Sequence, residues 1–250
     1  MSRVERTPEH APVALVTGAA GGIGGAVVRA LAAAGHEVLP VDREGGEIAG
    51  LEILVADLVD DAAAGAAVAA AVERFGGLDV VVCAHGGSGR RFGDGPVDLC
   101  TVAGWDATLD LNLKSVFLVC RHAVPALRSR GGGAIVNVSS VLGLVGGDRD
   151  FATHAYAASK GAVIALTRAM AVAYAGDGIR CNVVCPGLIA TPMSSRAQAD
   201  PAIRSRLETL QPLTRDLGRP EDVAEAVVHL AGARFATGTV LAVDGGWTAR

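Results

Sequence analysis

Tyr156 and Lys160 stand four residues apart in Tyr-Ala-Ala-Ser-Lys, at the start of a stretch whose apolar residues recur at helical spacing. Side chains four apart share one face of a helix. A free phenol titrates near pH 10, so a tyrosine that gives or takes a proton near neutrality needs a cation beside it to favour the phenolate. Lys160 is placed to be that cation, and the chemistry such a pair offers is proton transfer to or from an oxygen. The spacing alone is equally that of a tyrosine packed in a core or an interface, so its meaning depends on the elements around it.

The first such element is Thr17-Gly18-Ala19-Ala20-Gly21-Gly22-Ile23-Gly24, which follows an apolar run and opens a helical segment. Glycines there let the backbone turn tightly and approach a pyrophosphate, whose charge is favoured by the exposed N–H groups and dipole of the helix start. Asp42 closes the second apolar run, eighteen positions after Gly24. A carboxylate at that place accepts both ribose hydroxyls of the adenosine half of NAD and repels a 2′-phosphate, so NAD is expected over NADP. The competing roles are a turn cap for Asp42 and phosphate binding by the adjacent Arg43. Asp57, closing the third run, is expected near the adenine, with a turn or helix-cap role as its alternative.

Short Val-rich runs alternate with Ala-rich segments of helical length, the pattern of a parallel sheet wrapped by helices. Strands are expected at Val13–Thr17, Glu37–Val41, Glu52–Ala56, Asp79–Ala84, Ala134–Ser139, Ile179–Cys185 and Val240–Val243. Helices are expected at Ile23–Ala34, Asp61–Phe75, Ala103–Arg130, Tyr156–Ala175 and Glu221–Ala231. No linker interrupts the rhythm, which gives an α/β fold: one three-layer αβα domain over residues 13–250 with a seven-stranded parallel sheet, after a flexible tail of residues 1–12. His85–Asp98 and Leu188–Gly218 break the rhythm and follow strands at their carboxyl ends, where open α/β sheets bind ligands. They are the expected substrate loops.

Composition narrows the class further. Half of the 250 residues are hydrophobic, enough for a substantial core, and a net charge of −4 disfavours nucleic acid as a partner. The longest uncharged runs are broken by glycine and by Asn137, Ser139 and Ser140, which disfavours a membrane span, and Met1–Pro12 lacks the apolar segment of a secretory signal. Five cysteines without CxxC pairing read as reduced thiols in a cytoplasmic protein with no metal site. Cys181 and Cys185 fall on the same side of one strand, too far apart for a disulfide.

From Val13 to Trp247 the chain resembles the short-chain dehydrogenase/reductase family. The matching motifs are Thr-Gly-x3-Gly-Ile-Gly at Thr17–Gly24, Asn112 in Leu-Asn-Leu-Lys, Ile-Val-Asn-Val-Ser-Ser at Ile135–Ser140, Tyr156-x3-Lys160, Pro186-Gly187 followed by Thr191, and Asp244-Gly245-Gly246. The resemblance implies a Rossmann-like fold, hydride transfer to or from nicotinamide, and a homotetramer or homodimer. It gives Tyr156 the acid/base role, Lys160 the tasks of lowering the tyrosine's pKa and holding the nicotinamide ribose, and Ser140 the substrate oxygen. It gives Asn112 a water that links Lys160 to solvent. Coenzyme contacts are implied for Gly18, Gly22, Ile23, Gly24, Gly86, Pro186 and Gly187, with Thr191 and the backbone near Ile189 on the carboxamide. The alternatives are an ordinary buried Asn112, Ser139 in place of Ser140, and Thr191 as a cap before Pro192.

Two departures from the family pattern stand out. Where the family has Asn-Asn-Ala-Gly, this chain has Cys83-Ala84-His85-Gly86, which puts a strand-tying hydrogen bond in doubt. His85 is expected either beside the coenzyme ribose or as a solvent-facing loop residue. The sixteen-residue step from Ser140 to Tyr156 is a few longer than usual and carries Asp148-Arg149-Asp150. Arg149, His154, Arg90 and Arg91 are candidates for reading a polar or anionic substrate, against solvated loop charges. The activity expected is NAD-dependent oxidation of a secondary alcohol to a ketone. The alternatives weighed are a 3-oxoacyl-carrier-protein reductase and a catalytically silent NAD-binding regulator.

Overall fold

The computed structural model describes residues 10–249, so most of the expected tail lies outside the described residues. In chain order the elements are β1 (Val13–Thr17), α1 (Gly22–Ala33), β2 (Glu37–Asp42), β3 (Glu47–Ile48), β4 (Leu51–Glu52), β5 (Leu54–Val55), α2 (Asp61–Phe75), β6 (Val80–Cys83) and α3 (Val102–Leu109). There follow α4 (Ser115–Arg130), β7 (Gly133–Val138), α5 (His154–Ala173), β8 (Ile179–Pro186), α6 (Ser195–Ala199), α7 (Pro201–Leu210), α8 (Pro220–Gly232) and β9 (Val240–Val243).

β1 is buried at every position because helices cover both faces of the sheet. Its alternate residues serve two cores: Val13 and Leu15 join the one under α2, α4 and α5, while Ala14 and Val16 join the one under α1 and α8. The sheet runs β5-β2-β1-β6-β7-β8-β9 with every neighbouring pair parallel. The chain therefore moves outward from β1 to β5 and returns to β6 on the other side of β1. That reversal opens a crevice at the carboxyl ends of β1 and β6, where a ligand is expected. The expected fold class is the one observed: a single Rossmann-like three-layer domain with a seven-stranded parallel sheet. None of the described helices is long and apolar enough to cross a membrane.

Two elements differ from expectation. The third strand shrinks to Leu54–Val55, because the residues before it form an antiparallel β3–β4 ribbon pairing Ile48 with Leu51. Its two-residue turn, Ala49-Gly50, has φ of 55° and 77°, a conformation that composition alone does not announce at an alanine. The expected long helix Ala103–Arg130 is α3 and α4 joined by a wider π turn at Asp110–Lys114. That turn carries Asn112, and single π turns recur at functional sites.

Candidate active site

The glycine loop is sterically specified. Gly18 has φ +74°, and a Cβ there would lie 2.6 Å from the His85 nitrogen; a Cβ on Gly24 would lie 1.9 Å from the Gly18 carbonyl oxygen. Only glycine fits either place. α1 begins at Gly22 with no side chain capping it and no acidic residue in its first turn. Its leading N–H groups are thus left for an anion.

At the end of β2 the Asp42 carboxylate accepts hydrogen bonds from the backbone of Ala20 (3.0 Å), Arg43 (2.6 Å) and Glu44 (3.1 Å). It is held in place at the cleft and keeps acceptor capacity for hydroxyl donors. Asp57 lines the same cleft and also turns the chain by accepting from the Val59 N–H; Asp60, not Asp57, caps α2.

A cleft of about 730 Å³ runs across these strand ends. It is lined by Gly18, Gly22, Ile23, Gly24, Asp42, Asp57, Gly86, Pro186, Gly187, Ile189 and Thr191, all named from sequence as coenzyme contacts, and by Ser140, Tyr156 and Lys160. The glycine cradle, the uncapped helix start and the fixed carboxylate fit a dinucleotide. Thr191 does two things: its methyl packs where a Gly22 Cβ would sit, 2.7 Å away, and it pairs with Ser194 in a capping box.

Tyr156 lies in the first turn of α5, and Lys160 lies one turn on, with its Nζ 5.6 Å from the tyrosine ring centroid. Burial pushes the Tyr156 phenol up to about 12, opposed by a hydrogen bond from Ser140. Burial pulls the Lys160 ammonium down to about 8. Lys160 is 4% exposed and donates to the Val138 carbonyl at 3.0 Å, so the chain alone directs its charge at the backbone rather than at the phenol oxygen. Ser139 donates to the Lys160 carbonyl at 2.7 Å and is thereby occupied; Ser140 is the serine that meets Tyr156.

Asn112 does not line the cleft. Its amide donates to the carbonyls of Gly87 (3.0 Å) and Thr108 (2.9 Å) and accepts from the Gly87 N–H (2.9 Å). It pins the Gly86-Gly87 strand end to the helical turn, and a Cβ on Gly86 would lie 2.6 Å from its oxygen and 3.3 Å from Lys160 Nζ.

His85 is not a solvent-facing loop residue. Its Nδ1 lies 2.5 Å from the Thr17 hydroxyl and its Nε2 2.8 Å from the Ser115 hydroxyl, and burial pulls its pKa down to about 3. It is therefore neutral, and it ties the end of β1 to the start of α4 where Cys83 and Ala84 cannot. Of the four charged loop candidates, Arg90 and Arg91 line the cleft, whereas Arg149 and His154 do not.

Two further residues lie in the expected substrate loops, where no motif singles them out. Arg196 on α6 also lines the cleft. Asp94, 7% exposed, accepts from the N–H groups of Ala155 (2.9 Å) and Tyr156 (3.0 Å), capping α5 in place of Thr153, whose side chain makes no cap bond. Replacing Asp94 with Ala should cost about 1–2 kcal/mol of stability and lower kcat more than coenzyme affinity, because the helix start that aims Tyr156 loses its acceptor. Thermal unfolding and steady-state kinetics check this, and unchanged kcat would remove Asp94 from the positioning of Tyr156.

A family model described as enoyl-(acyl carrier protein) reductase matches residues 18–248. The chain is 40% identical over 249 residues to a cis-4-hydroxycyclohexanecarboxylate dehydrogenase of Sinomonas cyclohexanicum, covering 95% of this chain and 96% of the relative. It is 37% identical to a 2-(R)-hydroxypropyl-CoM dehydrogenase of Xanthobacter autotrophicus, covering 95% and 98%. Among solved structures, the ligand-free aldohexose dehydrogenase of Thermoplasma acidophilum superposes with a TM-score of 0.87 at 30% identity, covering 96% of this chain and 95% of that one. The chain belongs to the short-chain dehydrogenase/reductase family of oxidoreductases.

Proposed function

We propose that this protein is an NAD-dependent dehydrogenase of a secondary alcohol, with Tyr156 as its acid/base. The observation that carries this reading is one cleft with the Ser140–Tyr156–Lys160 group and, along the same strand ends, an uncapped glycine loop with a backbone-held Asp42. Two of the proteins named above are dehydrogenases whose names carry a hydroxy group, which supports the alcohol as substrate.

In oxidation, the substrate hydroxyl lies against Tyr156 and Ser140, and the Tyr156 oxygen takes its proton. A bound nicotinamide supplies the acceptor for the hydride leaving the carbinol carbon. Ser140 donates to the substrate oxygen and fixes its distance from the phenol. The Lys160 ammonium, on the same helix face, favours the phenolate that this step needs. Thr191 and the backbone at Ile189 orient the carboxamide end of the coenzyme. Asn112 holds the Gly86-Gly87 edge of the ribose site and so acts as a positioning residue.

Asp42 weighs against the carrier-protein reductase, for which NADPH would be the expected donor. Asp42→Ala should lower the NAD-over-NADP ratio of kcat/KM by about 10- to 100-fold, the worth of one or two hydrogen bonds to a charged acceptor. Equal use of both coenzymes by the unaltered protein would overturn the NAD assignment. A screen of secondary alcohols for NAD reduction tests the activity itself, and coenzyme binding without turnover across the panel would sink it. The reading includes a cytoplasmic homotetramer or homodimer. Its support is the exposed apolar set Leu99, Val102, Trp105 and Phe117 around α3 and α4, together with five unpaired cysteines.

A further inference from the structure

Three segments distant in sequence meet at the cleft: the turn Gly89–Phe92 after β6, the lengthened loop before α5, and α6. They meet at one atom. Arg90 Nη2 donates to the Asp150 carbonyl at 2.9 Å, and Arg196 Nη2 donates to the same oxygen at 2.6 Å. The two nitrogens are therefore within 5.5 Å of each other, the sum of the two bonds.

Two guanidinium groups at that separation repel unless an anion lies between them. Among the described residues neither makes an ion pair. The acids that act on Arg90 are Asp94 and Asp150, and both are committed elsewhere: Asp94 to the N–H groups of α5, Asp150 to Arg206. Partial burial and the charge of Arg196 lower the pKa of Arg90. Each guanidinium carries five N–H donors in a planar fork matched to a carboxylate, and the Asp150 carbonyl occupies one nitrogen of each.

The pair is held, not merely exposed. Arg206 on α7 grips both Asp148 and Asp150, and its guanidinium sits 6.0 Å over the Phe151 ring. Phe151 in turn packs edge-on against Trp247 at 5.1 Å. The loop that presents the Asp150 carbonyl is thus fixed, and Val141, Leu142, Phe151, Met193 and Trp247 give the same cleft an apolar wall beside Ser140 and Tyr156.

We propose that Arg90 and Arg196 form an anion clamp that binds the carboxylate of the substrate, so that the alcohol oxidised is a hydroxy acid with an apolar body against the Phe151–Trp247 wall. This rests on the secondary-alcohol reading above.

The test pairs binding with turnover on the full chain. Calorimetric titration with cyclohexanecarboxylate and cyclohexanecarboxamide, with and without NADH, should show the carboxylate binding at least about 30-fold tighter, the effect of one or two charge-assisted contacts. Arg90→Gln with Arg196→Gln should remove most of that preference, whereas Arg196→Lys, which keeps the charge but not the fork, should keep part of it. Equal wild-type affinities for acid and amide, or a preference that survives the double substitution, would overturn the clamp; the wild-type comparison stands even if a variant fails to fold. In turnover, 3-hydroxycyclohexanecarboxylate should exceed its methyl ester in kcat/KM by a similar factor. Oxidation of both at equal rates sinks the clamp and leaves the dehydrogenase intact. Arginine-dependent carboxylate binding with no oxidation of any alcohol keeps the clamp and sinks the dehydrogenase.

Discussion

Tyr156→Phe is expected to lower turnover by about 10³-fold while NADH still binds, because the substitution deletes one oxygen and leaves the ring, the helix and the glycine loop in place. The phenol is the one group in the cleft that meets Ser140 and also lies one helical turn from a buried ammonium. Burial, only partly opposed by the Ser140 hydrogen bond, pushes it up to about 12, so in the absence of ligands it is protonated at neutral pH. Oxidation needs the phenolate and reduction needs the phenol. Oxidative kcat/KM should therefore climb with pH while reductive kcat/KM falls, with apparent pKa values that belong to the tyrosine–lysine pair rather than to either residue. Initial rates in both directions check the sign. Turnover within about tenfold of the wild type would remove Tyr156 from proton transfer.

Lys160→Met is expected to abolish turnover and yet stabilise the fold. The ammonium is 4% exposed, and burial pulls it from 10.5 to about 8. Between those pH values the folded chain binds fewer protons than the unfolded one, so stability rises with pH across the window, and below pH 8 the full cost of the buried charge is present. That lowering corresponds to about 3 kcal/mol, of which about 1 kcal/mol is offset by the bond to the Val138 carbonyl that methionine cannot make. A net gain of about 2 kcal/mol would raise Tm by about 4–8 °C at pH 7. The gain should shrink as pH rises from 8 to 10.5, where the wild-type lysine sheds its proton in both states. A lower Tm for the variant at pH 7 would mean that the ammonium supports the fold rather than burdens it. Retention of a destabilising group at a reaction centre is the usual trade of stability for activity.

Some of this site was legible because its signals are local. Gly18 and Gly24 announce a close backbone approach, and the structure places each against backbone that no other residue would clear. Asp42 ends the strand beside the first, so its distance along the chain fixes its distance across the sheet. Tyr156 and Lys160 sit on one helix, where spacing dictates a shared face. The alternation of strands and helices fixed the layers, and parallel crossovers leave few sheet orders open.

The rest depends on contacts that no local pattern encodes. His85 looked like a loop residue and is a neutral bridge, because Thr17 and Ser115 arrive from 68 and 30 positions away. Asp94 caps a helix that starts 60 residues later, a role invisible beside the glycines and arginines of its own loop. The Asn112 amide bonds to the backbone of Gly87 and Thr108 beside a π turn that a continuous apolar pattern does not reveal. By itself, then, the sequence determined the tight glycine loop, the shared helix face of Tyr156 and Lys160 and the order of the layers, since each is set by spacing along one element or between neighbours. Only the tertiary structure decided what surrounds the reacting oxygen: which serine faces Tyr156, where Lys160 directs its charge, and that Arg90 and Arg196 meet at one carbonyl oxygen. Those outcomes follow from how three loops pack on one another, and packing between loops leaves no period in the chain.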